Sequence, residues 1–332
     1  MDRKISNDGM SERAVIMSPL DDPVVSAIFS DKESAGEAAA SLVKALLEED
    51  GESISIGKVI SVTPQRQYNN PSQRGCRVDI EIDTVAKERI IVEVQIEPDA
   101  QIFRRNLFSA ARIFSSTSER GSTIIEMGHT MPRVICINIL HHSVRQDNNE
   151  VIQPAKVAFT KPPQRVAVDN FAVYSVQLPR IEEIEPDFGK PWYCWCYAMY
   201  HAHKKGKTLT EVVEMTNELQ EFAIRDTGFA QYCELFDRVA TDPGVVDGYL
   251  RWVETLMREQ GMREAAQEIG YQEGLAGGLA EGHAEGAATT ALHIAQNMRS
   301  LGIPVDTIVA ATGLTREEIE KLSAAHATTD CV

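Results

Sequence analysis

Three absences narrow the classes of protein to which this sequence can belong. No apolar run approaches the ~18 residues of a membrane-spanning helix, so we expect no membrane span and no membrane partner. The first twenty residues, MDRKISNDGMSERAVIMSPL, lack the apolar segment of a secretory signal. Cysteines stand at positions 76, 136, 194, 196, 233 and 331, without the spacing of a disulfide framework. These features together predict a protein of the reducing cytoplasm.

The chain also lacks an excess of positive charge. Its 33 Lys and Arg against 49 Asp and Glu leave a formal net charge of −16. Binding to phosphates depends on clustered Lys and Arg, so any nucleic-acid function must rest on a local basic surface. The best candidates are Arg104, Arg105 and Arg112 on a predicted helix over 99–120, where Arg105 and Arg112 share a face. A phosphate-positioning role and an ordinary charged helix surface both remain open.

Two segments of alternating polarity predict a β-hairpin. The stretches 77–82 (RVDIEI) and 89–97 (RIIVEVQIE) alternate between apolar and polar residues, as half-buried strands do. The connection 83–88 can fold back symmetrically about Ala86. That register decides which side chains of the two strands meet.

In this register Asp79 lies opposite Glu93, and Gln95 lies one pleat along. Like charges directly opposite each other destabilise a sheet, so the pair favours a bound cation. Carboxylate oxygens on a rigid hairpin are ligands that suit Mg²⁺. The alternative is a polar face that is merely solvated.

The order of the other elements predicts an α/β fold, a mixed sheet with helices packed on it. The predicted elements are a helix from Asp22-Pro23 to Phe29, a helix after Ser30-Asp31, a strand over 58–63 stopped by Pro64, the helix 99–120, and strands over 133–140 and 171–178. Asp22 is interpreted as a capping carboxylate with proline at the first helical position. From about residue 180 the pattern is helical.

Residues 192–205 (WYCWCYAMYHAHKK) contain Cys194, Cys196, His201 and His203, a set that invites a zinc-site interpretation. On one helix, positions two apart point about 200° from each other, so the four side chains cannot converge on one ion. We therefore interpret this segment as an aromatic-rich packed helix.

A glycine at every fourth position is the second unusual feature of the chain. The glycines are Gly270, Gly274, Gly278, Gly282 and Gly286. Each costs about 1 kcal/mol in a helix interior relative to alanine. Such a stripe lets another backbone approach closely, which predicts a helix–helix contact between subunits. A flexible glycine-rich linker is the alternative.

The segment 308–322 (IVAATGLTREEIEKL) resembles a helix-turn-helix with Gly313 at the turn. Its second helix carries Glu317, Glu318 and Glu320, an acidic face that suits phosphates poorly. We therefore interpret this tail as a packing or assembly module, and DNA reading is the alternative.

The element order and the hairpin residues together resemble the PD-(D/E)XK nuclease superfamily. More narrowly, residues 19–322 resemble the recombination-promoting nuclease/putative transposase family of bacteria. Asp79 stands at the first aspartate of the motif, while Glu93 and Gln95 look like that family's Glu-x-Gln, which replaces the superfamily's Glu-x-Lys. Other matching positions are Asp22, Ile28 and Phe29 in the first helix, Arg104 and Gly121 after the hairpin, the strand 132–140 and SVQLPRI at 175–181.

The resemblance implies a PD-(D/E)XK restriction-endonuclease-like core followed by an α-helical C-terminal region. The domains expected are a disordered tail (1–17), the nuclease-like domain (18–180), a helical extension (181–260), the glycine-every-four helix (261–287) and a small helical module (288–324).

The resemblance also implies a catalytic role for the hairpin. Asp79 and Glu93 would bind Mg²⁺ (or Mn²⁺), which polarises a scissile phosphate of DNA and helps to form hydroxide. Gln95 can orient a water but carries no positive charge, so Arg104 or a second metal would have to compensate. Asp22 would complete the site, unless it serves only as a helix cap.

Two functions from different classes follow. The first is a Mg²⁺-dependent DNA endonuclease linked to recombination or mobile elements. The second is a nuclease relic of weak or no activity that acts as an oligomeric interaction protein through its glycine-striped helix.

Overall fold

The computed structural model describes residues 17–48, 58–70, 73–117, 123, 125, 131–144, 150–161 and 165–324. The chain divides into two compact units, Met1–Trp252 and Val253–Val332. Of the tail predicted to be disordered, only Met17 lies among the described residues, and its side chain is buried. Gly121 lies outside the described residues.

One mixed six-stranded sheet forms the centre of the first unit in the described part of the chain. Its strands are β1 (Val59–Asn70), β2 (Gln73–Thr84), β3 (Glu88–Gln95), β4 (Arg133–Leu140), β5 (Ile152–Ala158) and β6 (Val166–Gln177), in the order β1-β2-β3-β4-β6-β5. The β3–β4 and β4–β6 pairs are parallel and the other three are antiparallel. The predicted mixed α/β sheet is confirmed.

Two strand predictions were wrong at the edges of this sheet. Strand β1 continues through Pro64 instead of stopping there. Proline is tolerated in this position because β1 is an edge strand of the described sheet, where one side of the backbone needs no ladder partner. Strand β5 was not predicted, because only Ile152 of its residues is buried and the segment lacks the alternation of a half-buried strand.

The hairpin of β2 and β3 has the predicted register. Ile80 pairs with Val92 and Glu81 with Ile91, which places Ala86 at the centre of the turn. The expectation of a half-buried hairpin was wrong, since β3 lies between β2 and β4 and both of its faces are covered. The hairpin's polar residues therefore lie in a largely buried setting.

Helices cover this sheet and extend the first unit. They are α1 (Asp22–Phe29), α2 (Ala35–Glu48), α3 (Ile102–Thr117), a 3₁₀ helix (Leu178–Glu182), α4 (Pro191–Lys205), α5 (Leu209–Glu214), α6 (Asn217–Arg225) and α7 (Thr227–Thr241). Helix α3 packs Ala110 and Ile113 against Ile91 and Cys136 of the sheet. Helix α4 buries Trp195 completely, as predicted for an aromatic-rich packed helix.

The helix α8 (Pro243–Ser300) spans the division between the two units. It contains all five glycines of the four-residue register. The glycine segment is thus helical, and a Cβ built on any of these glycines would meet nothing within 4 Å. No described helix is both long and apolar enough to cross a membrane.

The second unit has a small core of its own. The end of α8 packs against α9 (Val305–Thr312) and α10 (Arg316–Ala324), with Ala295, Ile308 and Ile319 fully buried. Gly313 takes the left-handed conformation (φ +70°) between α9 and α10, as a helix-turn-helix requires.

Candidate active site

Asp79 and Glu93 meet on adjacent strands, in line with the register of the hairpin. The register places Asp79 across from Glu93, and the negative charge of Asp79 is one of the causes of the raised pKa of Glu93. The backbone N–H of Val94 donates to Asp79 Oδ2 at 3.0 Å, which fixes the orientation of that carboxylate. Glu93 is only 7% exposed. The predicted pair is therefore present, and it is held in a dry environment.

Burial is the main cause of the raised pKa values of Asp79 and Glu93. Burial, and after it the negative charge of Asp79, raises the pKa of Glu93 to about 8. Burial also raises the pKa of Asp79, with the charge of Asp22 acting in the same direction. Without a cation, the site therefore keeps a proton at neutral pH.

The donor set fits a hard divalent cation. Two carboxylates forced together in a buried setting become fully ionised only if positive charge balances them, and Mg²⁺ prefers oxygen ligands. In the described part of the chain, no three Asp, Glu, His or Cys side chains stand in a ready metal-binding cluster. The pair Asp79 and Glu93 is thus the candidate ligand set.

Asp22 does not cap its helix. The N-cap of α1 is Asp21, whose Oδ2 accepts hydrogen bonds from Ser18 N and from the hydroxyl of Tyr249, both at 3.0 Å. The capping interpretation was therefore wrong for Asp22, since Pro23 lies one position further into the helix. Burial raises the pKa of Asp22, and Arg77 opposes this shift. The negative charge of Asp22 contributes to the raised pKa of both Asp79 and Glu93.

The three arginines of α3 do not form one set. Arg105 reaches the carboxylates: its NH2 lies 3.7 Å from Glu93 Oε2, and its NH1 lies 2.8 Å from Asp99 Oδ2. Arg105 NH1 also donates to Gln95 Oε1 at 3.5 Å.

The other two arginines have different neighbours. Arg104, which was expected to compensate for the missing lysine, donates to Gln101 Oε1 at 2.9 Å on the exposed side of α3. Arg112 lies over the ring of Phe108, 5.5 Å from its centroid. Successive helical positions point about 100° apart, which is why Arg104 and Arg105 face different surroundings.

Asp99 is a member of this site that the sequence analysis missed. It anchors Arg105, and its Oδ1 accepts a hydrogen bond from Gln101 N at 2.7 Å where α3 begins. An aspartate side chain that accepts a hydrogen bond from the backbone N–H two residues later is a common turn signal. The sequence contains this signal at Asp99.

The residues considered for zinc have separate partners. Cys194 Sγ donates to the carbonyl of Phe188 at 3.4 Å. His203 Nδ1 lies 2.6 Å from Ser18 Oγ. The ring of His201 lies against that of Tyr197, with centroids 4.1 Å apart.

Comparisons with known families agree with this fold. Residues 19–249 match the model of the PD-(D/E)XK nuclease family transposases, so the match includes Asp22 and the whole hairpin. The chain belongs to this family. Residues 288–324 of this nuclease-family protein match the C-terminal HTH domain of the Rpn/YhgA-like nuclease family, which covers α9 and α10. No curated protein and no solved structure gives a significant match.

The buried pair predicts an unusual dependence of stability on pH for this nuclease-family protein. The pKa of Glu93 rises from an ordinary value of 4.5 to about 8 on folding, so the folded chain binds more protons than the unfolded chain between these values. Without metal, the stability from this group is complete below about pH 4.5 and is lost as pH rises through about 8.

We therefore expect Glu93→Gln to raise the melting temperature in EDTA at pH 8, by about 2–4 °C for each kcal/mol gained in the free energy of unfolding. At pH 4.5 the melting temperature should stay near that of the wild type. Calorimetry across this range tests the difference. The control is Glu97→Gln, a change at an exposed glutamate just beyond β3, which should show no such trend. Equal effects of the two changes at every pH would contradict the assignment.

Proposed function

We propose that this protein is a metal-dependent DNA endonuclease that hydrolyses phosphodiester bonds and serves recombination or mobile elements. The observation that carries the proposal is the apposition of Asp79 and the buried Glu93 on adjacent strands of the hairpin, with the Asp79 carboxylate held by Val94 N. Membership of a family of nucleases and transposases supports the same conclusion.

Asp79 and Glu93 would hold Mg²⁺ (or Mn²⁺), with Asp22 as a third carboxylate nearby. When bound, the ion would polarise the scissile phosphate and lower the pKa of a coordinated water. The protein's own contribution is positional. Val94 N holds the Asp79 carboxylate in place, and the proton shared by Asp79 and Glu93 must leave when the ion binds. Metal affinity should therefore rise with pH.

Arg105 is our candidate for the positive charge that Gln95 does not supply. Its guanidinium contacts both Glu93 and the amide of Gln95. A fixed cation at this place can stabilise negative charge that develops on a phosphate in the transition state. Gln95 then has the lesser task of orienting a water through its amide. Arg104 and Arg112, which were predicted to bind DNA phosphates, would in this proposal contact phosphates of the DNA strand away from the scissile one.

The first test removes one metal ligand. We expect Asp79→Ala to abolish Mg²⁺-dependent nicking of a supercoiled plasmid, because a single carboxylate cannot hold the ion. The variant should stay folded, and its thermal stability should be unchanged or slightly higher, since removal of Asp79 relieves its repulsion of Glu93. Circular dichroism and thermal melting check the fold.

Asp83→Ala is the matched control for this test. Asp83 lies on the same strand but pairs with Arg89 and Ser61, away from the site. Its removal should leave nicking unchanged. Wild-type nicking by the Asp79→Ala variant would overturn the catalytic assignment.

The second test exchanges the source of positive charge. We expect Arg105→Gln to lower the nicking rate by about 10²-fold, in the range found when one stabilising donor is removed. Gln95→Lys alone should keep or raise activity, because it restores the superfamily's lysine beside Glu93. Added to Arg105→Gln, it should recover much of the lost rate. Arg104→Gln, which changes the neighbouring exposed arginine, is the control. Full activity of Arg105→Gln would refute the role of Arg105.

A second candidate function is that of an oligomeric interaction protein, and the glycine helix favours it. Tyr271, Leu275 and Leu279 repeat every four residues beside the glycines and are 65%, 48% and 56% exposed. Close helix packing would cover these apolar side chains. The free energy gained would offset the helix stability that is lost because glycine has a low helix propensity. The module of α9 and α10 stays, in our prediction, an assembly module, because its acidic second helix suits phosphates poorly.

Sedimentation tests this self-association. We expect the full chain to be oligomeric, and Leu275→Glu with Leu279→Glu to dissociate it, because charges would then be buried at the contact. Glu273→Gln on the same helix is a control that should not alter the sedimentation. A monomeric wild-type chain would reduce the glycine register to a spacer between the units.

A further inference from the structure

A pocket of about 400 Å³ opens beside Asp22, entirely within the first unit. Residues from α1, from strands β1 and β2, and from the start of α8 line it. Those used below are Asp22, Ser26, Gln65, Arg77, Gly248 and Trp252. The sequence analysis assigned no role to Gln65, Gly248 or Trp252.

This pocket shares a wall with the carboxylate pair. The β1–β2 ladder pairs Pro64 with Ile80 and Arg66 with Val78, so Gln65 lies across from Asp79. Arg77 precedes Asp79 by two residues and therefore lies on the same face of β2. Arg77 and Asp22 line the same pocket, and the charge of Arg77 opposes the burial that raises the pKa of both Asp22 and Asp79.

The backbone at Gln65 is held in a conformation that costs energy. Its φ of +50° lies in the left-handed region, which a residue other than glycine adopts rarely. Such conformations persist where the surrounding structure enforces them, and they are frequent at ligand sites. Here the conformation occurs within a strand, at the residue that lines the pocket opposite Asp79.

The lining has the chemistry of a nucleotide subsite. Trp252 offers an indole ring, which lies at 5.6 Å from the ring of Tyr249 and is thereby supported from one side. Nucleobases stack on such rings whatever their sequence. The exposed Arg77 offers a cation for a backbone phosphate. The amide of Gln65 and the hydroxyl of Ser26 offer hydrogen bonds to a base edge.

We propose that this pocket receives one unstacked nucleobase of the DNA strand whose phosphate lies at Asp79 and Glu93. The volume admits a base with its sugar but not a stacked duplex, so the strand must be single or locally unpaired where it is cut. Enzymes that draw a base out of the helix in this way spend less energy on mismatched or unpaired sites. The proposal rests on the proposed nuclease function and names its substrate class as unpaired DNA.

Binding, measured without cleavage, tests the pocket. In an Asp79→Asn background, we would titrate a short single-stranded oligonucleotide that carries 2-aminopurine and follow both anisotropy and 2-aminopurine fluorescence. Trp252→Ala should weaken binding about tenfold and abolish the change in 2-aminopurine fluorescence, while Trp252→Phe should keep most of both.

A second pair of variants avoids any effect of Trp252 on folding. Gly248 faces open space in the pocket, so Gly248→Leu fills the pocket without a clash and should also weaken binding about tenfold. Gly261→Leu is the matched control, because Gly261 lies on the same helix, faces open space and is outside the pocket. It should leave affinity unchanged.

The failure of the pocket and the failure of the nuclease function give different results. If Gly248→Leu and Trp252→Ala bind single-stranded DNA as tightly as the parent chain, the pocket proposal is wrong, whatever the plasmid assay shows. If these variants lose affinity but the wild-type chain never nicks DNA, the pocket stands as a binding site and the nuclease function fails. A wild-type preference for perfect duplex over mismatched duplex would also overturn the proposal.

Discussion

The site depends on the enforced proximity of two acidic side chains that the sheet does not allow to separate. Asp79 and Glu93 sit on neighbouring strands whose register is fixed by the turn around Ala86 and by the apolar pairs Ile80–Val92 and Ile82–Ile90. A shift of one residue would turn every buried side chain of the hairpin to the wrong face. The apolar core therefore maintains an electrostatic arrangement that is unfavourable by itself. Positive charge near the pair must compensate for it.

Two neighbouring elements bring positive charge toward the pair. Strand β2 brings Arg77 and α3 brings Arg105, which Asp99 holds in place, whereas Asp22 of α1 adds a further negative charge. Strand β4 pairs with β3 from Glu88 to Gln95, so β3 is an interior strand, and Glu93 on it is only 7% exposed. Burial is thus the source of the raised pKa of Glu93, and the fold as a whole determines the acidity of the site.

The division of the chain separates this chemistry from the second unit. The second unit has its own core, in which α9 and α10 close on the end of α8. Its exposed apolar residues and glycines follow a four-residue repeat that no internal contact explains.

The sequence by itself determined the sheet's central strands, the register of the hairpin and the pairing of Asp79 with Glu93. These features follow from alternation and from local symmetry about Ala86, which are both properties of short segments. The same local reasoning identified the helix from Asp22 to Phe29, the strand 133–140, and the turn at Gly313 between the last two helices. The match to the family model then confirmed the resemblance to the nuclease family.

Only the tertiary structure decided which residues surround the pair. Pro64 does not end β1, because an edge strand can spare the N–H that proline lacks. Asp21 takes the N-cap position of α1, but its carboxylate accepts hydrogen bonds from Ser18 and the distant Tyr249 and does not cap the helix through its side chain. Arg105, and not Arg104, reaches Glu93 because one helical step turns a side chain by about 100°. Trp252 approaches Asp22 from over two hundred residues away. Contacts of this kind join segments that are remote in the chain, so local sequence patterns cannot specify them.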